Sequence, residues 1–331
     1  MNEINRPIQW GIFGLGRVVQ NGFTPALLAS ERALLVACAA YKPEQAQAFA
    51  DKFKIARAHA DFAAMLRDPE VDAVYIATPN SLHFEHASQA LAAGKHVLCE
   101  KPLAMTAQEG QQLVAAADAA NRLLAVCFQF RFEPVLARVR ELVLGGAIGE
   151  LRALTLHGAS PVGQARSWRQ NAAEGGVLSD LGVHLLDLAR WITGKELTDI
   201  SARTTPPDMT RDPVQTITLL GRLGPFAHAL VHVTREVPDG LNALSVEGTA
   251  GTLLVPAWRN ATEYELIVRN AEGLRSERIA PANLFRGQID AFSTALAGQP
   301  SGLAMGEDGL RVIEMTVAIS RASGGLHAAG G

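Results

Sequence analysis

Apolar positions along the 331-residue chain follow two rhythms in turn. In the first third, short apolar runs (Ile8 to Phe13, Leu34 to Ala40, Val71 to Ala77, His96 to Cys99, Leu123 to Phe128) read as buried strands. Between them lie segments of helical spacing, at about 17–29, Pro43 to Phe53, Asp61 to Arg67, Ser81 to Ala93 and Thr106 to Asn121. Pro43 suits a first helical turn, Gly94 a helix stop, and Thr106 with Glu109 a capping box. Strand alternating with helix at this spacing predicts a parallel sheet with right-handed crossovers. After about residue 128 the rhythm changes. A helix is predicted over Pro134 to Leu144, a strand over Gly149 to His157 and a helix over Asp180 to Ile192. From Thr198 to Val268 the text is short, with period-two runs at Thr216 to Leu220, Ala227 to Val233 and Glu263 to Val268, which predicts an antiparallel sheet. Helices near Ala282 to Leu296 and Glu307 to Ala322 follow.

Composition narrows the class. With 48% apolar and 19% charged residues, the chain has the balance of a globular protein of about two domains. Its formal charge of −3 is spread without basic runs, which argues against nucleic acid or an acidic membrane as partner. The three cysteines, Cys38, Cys99 and Cys127, each sit in a strand-like apolar run, so free thiols in a reducing compartment are expected. No window approaches the roughly 18 apolar residues of a membrane span, and the first residues lack a signal-peptide pattern. A cytoplasmic location is the expectation.

Candidate chemistry gathers at three places. Gly14-Leu15-Gly16, with Arg17 opening the helix, follows the first strand, where glycines let the backbone approach a pyrophosphate at a helix N-terminus. Val19 occupies the third small position of that fingerprint. The second strand runs into Ala39-Ala40-Tyr41-Lys42 without the acid that would bind a ribose, so NADP is preferred over NAD, with Tyr41 against the adenine and Lys42 on a 2′-phosphate. The bland alternative is that both face solvent. Glu100-Lys101-Pro102 ends a buried strand, where ligands of parallel sheets bind. Lys101 there either steadies charge on a substrate oxygen, with Glu100 fixing it, or forms a surface ion pair. Thr78-Pro79-Asn80 and His83 end the preceding strand, by the same geometry beside the nicotinamide ribose. His83 and His86 have no third ligand nearby, so no metal is expected. In the second half, Asp180, His184 and Asp187 fall on one helix face behind Gly175-Gly176. His184 is then a proton-transfer group, or else a satisfied core histidine behind an Asp180 (or Ser179) that only caps.

Taken together these segments resemble the glucose–fructose oxidoreductase, inositol dehydrogenase and rhizopine-catabolism family (Gfo/Idh/MocA). The most specific pieces are Ala77 to His83, Ala93 to Leu103 and Gly175 to Asp187, found in order. The resemblance implies an α/β fold: a Rossmann dinucleotide-binding domain over 1–127, then an α+β domain over 128–331 on an open, mostly antiparallel sheet. It implies that Lys101, Asp180 and His184 are catalytic. Arg131, Arg166, Trp168 and Arg169 are candidates to line the substrate pocket with Asp180 and His184, the alternative being ordinary salt-bridge and core work. The expected activity is hydride transfer between NADP or NAD and a carbinol or carbonyl carbon of a sugar, cyclic polyol or related diol, in a homodimer or homotetramer. Two rival readings are a dinucleotide-binding sensor of sugar metabolism and an enzyme that uses bound nicotinamide transiently during elimination.

Overall fold

A computed structural model describes residues 6–160, 176–207, 213–237 and 240–324. The chain divides into two units. The first runs to Gln129 and takes in Asn283–Ile313 as well; the second holds Phe130–Ala282 and the chain from Glu314 on. A linear cut near residue 127 therefore leaves out a late segment that returns to the first unit.

The first unit runs β1 (Ile8–Phe13), α1 (Thr24–Leu28), β2 (Ala33–Ala39), α2 (Pro43–Phe53), β3 (Arg57–His59), α3 (Phe62–Leu66), β4 (Ala73–Ile76), α4 (His83–Ala92), β5 (His96–Cys99), α5 (Ala107–Ala120) and β6 (Leu124–Val126). All strand pairs are parallel, in the order β3-β2-β1-β4-β5-β6. The order reverses beside β1, which creates the crevice between β1 and β4 where such sheets bind ligands. Asp61 caps α3 by accepting from Ala64 N, and Thr106 and Glu109 form the capping box of α5. The strand β3 is short and half-buried throughout, so it carries no apolar signal.

The second unit continues with α6 (Pro134–Leu144), β7 (Leu151–Ala159), α7 (Val183–Thr193), β8 (Leu197–Thr205), β9 (Thr216–Leu223), β10 (His228–Thr234), β11 (Leu244–Gly248), β12 (Gly251–Val255), β13 (Tyr264–Asn270) and β14 (Gly273–Ile279). The chain then forms α8 (Leu284–Leu296) and α9 (Gly306–Gly324). Eight strands lie in the order β14-β13-β12-β11-β7-β10-β9-β8, antiparallel except where β7 runs parallel to β10. Strand β9 alternates buried and exposed residues, as a sheet with one covered face requires. On the covered face α7 lies close to β7: a Cβ on Gly158 would meet Leu185 at 2.9 Å. The other face exposes Leu220, Leu254 and Leu274.

The first unit's core centres on Trp10, fully buried between Phe23 and Phe292, whose ring centroids lie 5.9 and 4.7 Å away. Phe292 arrives on α8, so the returning segment completes this core.

Candidate active site

At the carboxyl end of β1 the chain must turn at once into a helix. Gly14 makes that turn at φ +93°, and a Cβ there would stand 2.4 Å from the Ala77 carbonyl oxygen at the end of β4. Only glycine fits both the left-handed backbone and the close approach. Around Gly16, by contrast, a Cβ would meet nothing within 4 Å. Open space above a glycine turn at a helix start fits a dinucleotide pyrophosphate. The helix over 17–28 takes one wide π-turn at Val19–Phe23, and Val19 is buried at its first position.

Tyr41 and Lys42 follow β2 with both residues exposed. The Tyr41 ring lies against Phe13 at 5.3 Å, and its hydroxyl reaches His86 Nε2 at 3.2 Å. On its other side the His86 ring meets Thr78 Oγ1 through Nδ1 at 3.0 Å. His86 therefore ties the ends of β2 and β4 together, a part that residue spacing did not suggest. Thr78 and Asn80 are buried beneath the crevice.

His83 requires a correction. It is fully buried, with Nδ1 on the Pro102 carbonyl at 2.6 Å and Nε2 on the Thr78 carbonyl at 2.9 Å. Both nitrogens face main-chain carbonyls, to one of which the neutral ring donates, so the buried ring packs between the loops after β4 and β5 and faces main chain instead of a cofactor. Burial lowers its pKa, and the two carbonyls oppose that shift.

Glu100 and Lys101 stand at the end of β5. Glu100 Oε1 accepts from the Tyr75 hydroxyl at 2.6 Å, and its Oε2 accepts from the Lys101 main-chain N–H at 3.3 Å. Cys127 donates to Gln288 Oε1 at 2.9 Å, and Gln288 donates to the Val126 carbonyl at 3.0 Å. Burial, then the neighbouring Glu100, drives the Tyr75 and Cys127 pKa values well up, so both keep their protons. Cys38, pushed up to about 12 by burial, is likewise an inert thiol.

In the second unit, Gly176 sets the path into the helix that carries Asp180 and His184. Its φ is +60°, and a Cβ would lie 2.5 Å from the Val214 backbone. The helix is already turning at 176–177, so neither Ser179 nor Asp180 caps it, contrary to one sequence reading. It widens into a π-turn at Leu178–Gly182 before α7, which puts Asp180 inside the widened stretch. Such turns add a residue per turn and recur at functional sites. Arg235, buried at the end of β10, reaches back to this turn. Its Nη2 donates to the Gly176 carbonyl at 3.0 Å and to Asp180 Oδ2 at 3.1 Å.

His184 is 4% exposed and its ring lies 4.7 Å from that of Phe130. Phe130 also meets the fully buried Trp258 edge-on at 5.3 Å and carries the Arg259 guanidinium 5.3 Å above its centroid. Nearby, Glu133 is 4% exposed, and burial pushes its pKa to about 7 against the opposing hydroxyl of Tyr264.

Arg131, expected to hold substrate, is corrected too. It is buried, and its Nε and Nη2 grip both carboxylate oxygens of the buried Asp187, the first at 2.8 Å. This fork binds the turn at Gln129–Phe132 to α7. Arg166, Trp168 and Arg169 lie outside the described residues. The structure thus gathers Gly14, Leu15, Gly16, Arg17, Thr78, Pro79, Asn80, Glu100 and Lys101 at strand ends of one unit, and Asp180 and His184 on one helix of the other. Sequence reasoning missed Tyr75, Arg235 and Arg259. Arg235 had a signal, a charged residue closing a buried period-two run as Glu100-Lys101 does; Arg259 had none.

Residues 8–128 match the Gfo/Idh/MocA oxidoreductase family with its NAD-binding Rossmann fold, and residues 136–254 match the C-terminal domain of that family. The chain belongs to the Gfo/Idh/MocA family. Like other members it is an oxidoreductase that uses a nicotinamide cofactor. A 1,5-anhydro-D-fructose reductase of Ensifer adhaerens is 29% identical over 323 residues, covering 95% of this chain and 96% of that one. An aldose-aldose oxidoreductase from Caulobacter crescentus, solved with glycerol, superposes with a TM-score of 0.87 at 28% identity over 97% and 98% of the two chains. KijD10, a 3-ketoreductase from Actinomadura kijaniata solved with NADP and TDP-benzene, gives 0.83 at 26% identity over 96% and 98%. Among the described residues no helix is long and apolar enough to cross a membrane, and no three His, Cys, Asp or Glu side chains gather as a metal site would need.

Proposed function

We propose that this oxidoreductase interconverts a carbinol and a carbonyl carbon on a sugar, cyclic polyol or related diol, with NADP preferred over NAD, as a cytoplasmic homo-oligomer. A bound nicotinamide supplies the hydride acceptor or donor; the rest is the work of side chains. The Gly14–Gly16 turn and Arg17 hold the pyrophosphate. Thr78, Pro79 and Asn80 border the ribose. Lys101 donates to the substrate oxygen and stabilises negative charge that develops on it. His184 takes the hydroxyl proton in oxidation and returns it in reduction. Asp180, fixed by Arg235, orients the substrate hydroxyl.

The observation that carries this reading is the glycine cradle at the strand-order reversal, with Lys101 ending β5 of the same sheet. NADP is favoured by the absence of a carboxylate after β2 and by the exposed Tyr41 and Lys42 in its place. KijD10, with NADP bound, is a precedent. The three exposed leucines support assembly of copies through the open sheet face, which light scattering tests through the molar mass.

The test is absorbance of the reduced nicotinamide with NADP and NAD against a panel of sugars, polyols and diols. Turnover is expected with a higher kcat/KM for NADP. Lys101→Ala and His184→Ala should each lower kcat by about 10²–10⁴-fold and leave the cofactor dissociation constant unchanged. Wild-type turnover in either variant on the true substrate would remove that residue from the mechanism.

A further inference from the structure

Along the helix that carries Asp180 and His184, both aspartates are bonded to arginines. Asp187 is gripped by Arg131, and Asp180 is bonded by Arg235. A further cation, Arg259, stands in the loop between β12 and β13. Its Nη1 is buried without a hydrogen-bond partner, and no carboxylate or carbonyl among the described residues accepts from its guanidinium. Among the described residues, the ion pairs of Asp180 and Asp187 are with Arg235 and Arg131, and no ion pair is made by Arg259. Glu133, the remaining acid nearby, has its pKa pushed up to about 7 by burial, so a large share of it stays neutral at neutral pH and it does not reliably cancel that charge.

The position of this cation ties it to the reaction site. Its guanidinium covers the Phe130 ring that also packs on His184. Asp180 and Tyr264 are the groups that favour its charge, while burial opposes it and lowers its pKa. Arg259 as a whole is half-buried, but its Nη1 N–H is buried without an acceptor, an arrangement that costs stability. A protein keeps such a group where an acceptor arrives from outside. A hydroxyl would satisfy the N–H alone, whereas a carboxylate would satisfy the charge as well, and a guanidinium fork matches it in shape.

Building on the hydride-transfer reading, we propose that Arg259 is a specificity-determining residue that binds a carboxylate on the substrate, so that the preferred substrates are sugar acids over neutral sugars. The test pairs neutral sugars with their acids (glucose with glucuronate, galactose with galacturonate) in the wild type, Arg259→Gln and Arg259→Lys. In the wild type, kcat/KM for the acid is expected to exceed that for its neutral partner by about 10²-fold, a difference near 3 kcal/mol. Arg259→Gln should lower kcat/KM for the acid about 100-fold, mostly through KM, and at least ten times more than for the neutral sugar. Arg259→Lys should recover part of it.

Calorimetric titration of the acids into the NADP complex gives a readout that needs no turnover. Acid binding that depends on Arg259 without hydride transfer would uphold this inference and overturn the assigned reaction. Turnover of neutral sugars with no acid preference, equal losses for both members of each pair, or no acid binding at all would overturn the inference and leave the reaction standing.

Discussion

Glu133 shows how burial sets the behaviour of a single residue. Its carboxyl has moved from 4.5 to about 7 because folding removes it from water. A raised acid pKa means the folded protein holds the proton more tightly than the unfolded chain. Its contribution is fully present below pH 4.5, is lost as pH rises toward 7, and is flat beyond. The full span is about 3 kcal/mol. Glu133→Gln, which never ionises, should therefore gain about 2–3 kcal/mol over the wild type between pH 5 and pH 8 in urea unfolding. A pH-independent difference would show that the carboxyl titrates normally. At this scale the sequence made placement legible, Glu100 and Lys101 directly after a buried strand and His184 on a helix. It was misleading where a side chain has a structural partner far away in the chain. Nothing local tells that Arg131 will meet Asp187 or that both His83 nitrogens will meet carbonyls.

At the scale of elements, the glycine turn after β1 is the joint on which the proposed cofactor site depends. Gly14→Ala adds a Cβ against the Ala77 carbonyl and keeps a residue at positive φ. The left-handed backbone alone costs about 1–2 kcal/mol, and the clash forces β1 and β4 apart in addition. The variant should lose at least tenfold in NADP affinity by fluorescence titration and melt earlier; wild-type affinity would mean the turn does not touch the cofactor. Elements with strong periodicity were legible: α2 spans Pro43–Phe53 as its pattern predicts. The rest were not, for physical reasons. Strand β14 has nearly every residue exposed, so no alternation marks it. The two π-turns shift the helical phase by an extra residue, and a 3.6-residue period cannot reveal them.

For the whole molecule, what matters is that the first unit is discontinuous. Gln288 bonds Cys127 and Val126, Phe292 packs on Trp10, and the Val126 N–H donates to the Ala304 carbonyl. A chain ended after Ala282 loses all of these. It should fail to bind NADP and should show no cooperative melting of the Rossmann unit by calorimetry; normal cofactor affinity in that truncation would show the returning segment to be dispensable. The rhythm change near residue 128 made the two kinds of architecture legible, but periodicity carries no information about which core a late helix joins.

That return also dictates a schedule for synthesis. A growing chain presents all six parallel strands of the cofactor unit long before Phe292 and Ala304 have left the ribosome. The nascent Rossmann sheet must wait, with the pocket around Trp10 open to solvent, while the whole second unit is translated. The first unit therefore cannot complete its core until the second unit has been made, which closes strictly vectorial, domain-by-domain folding to it.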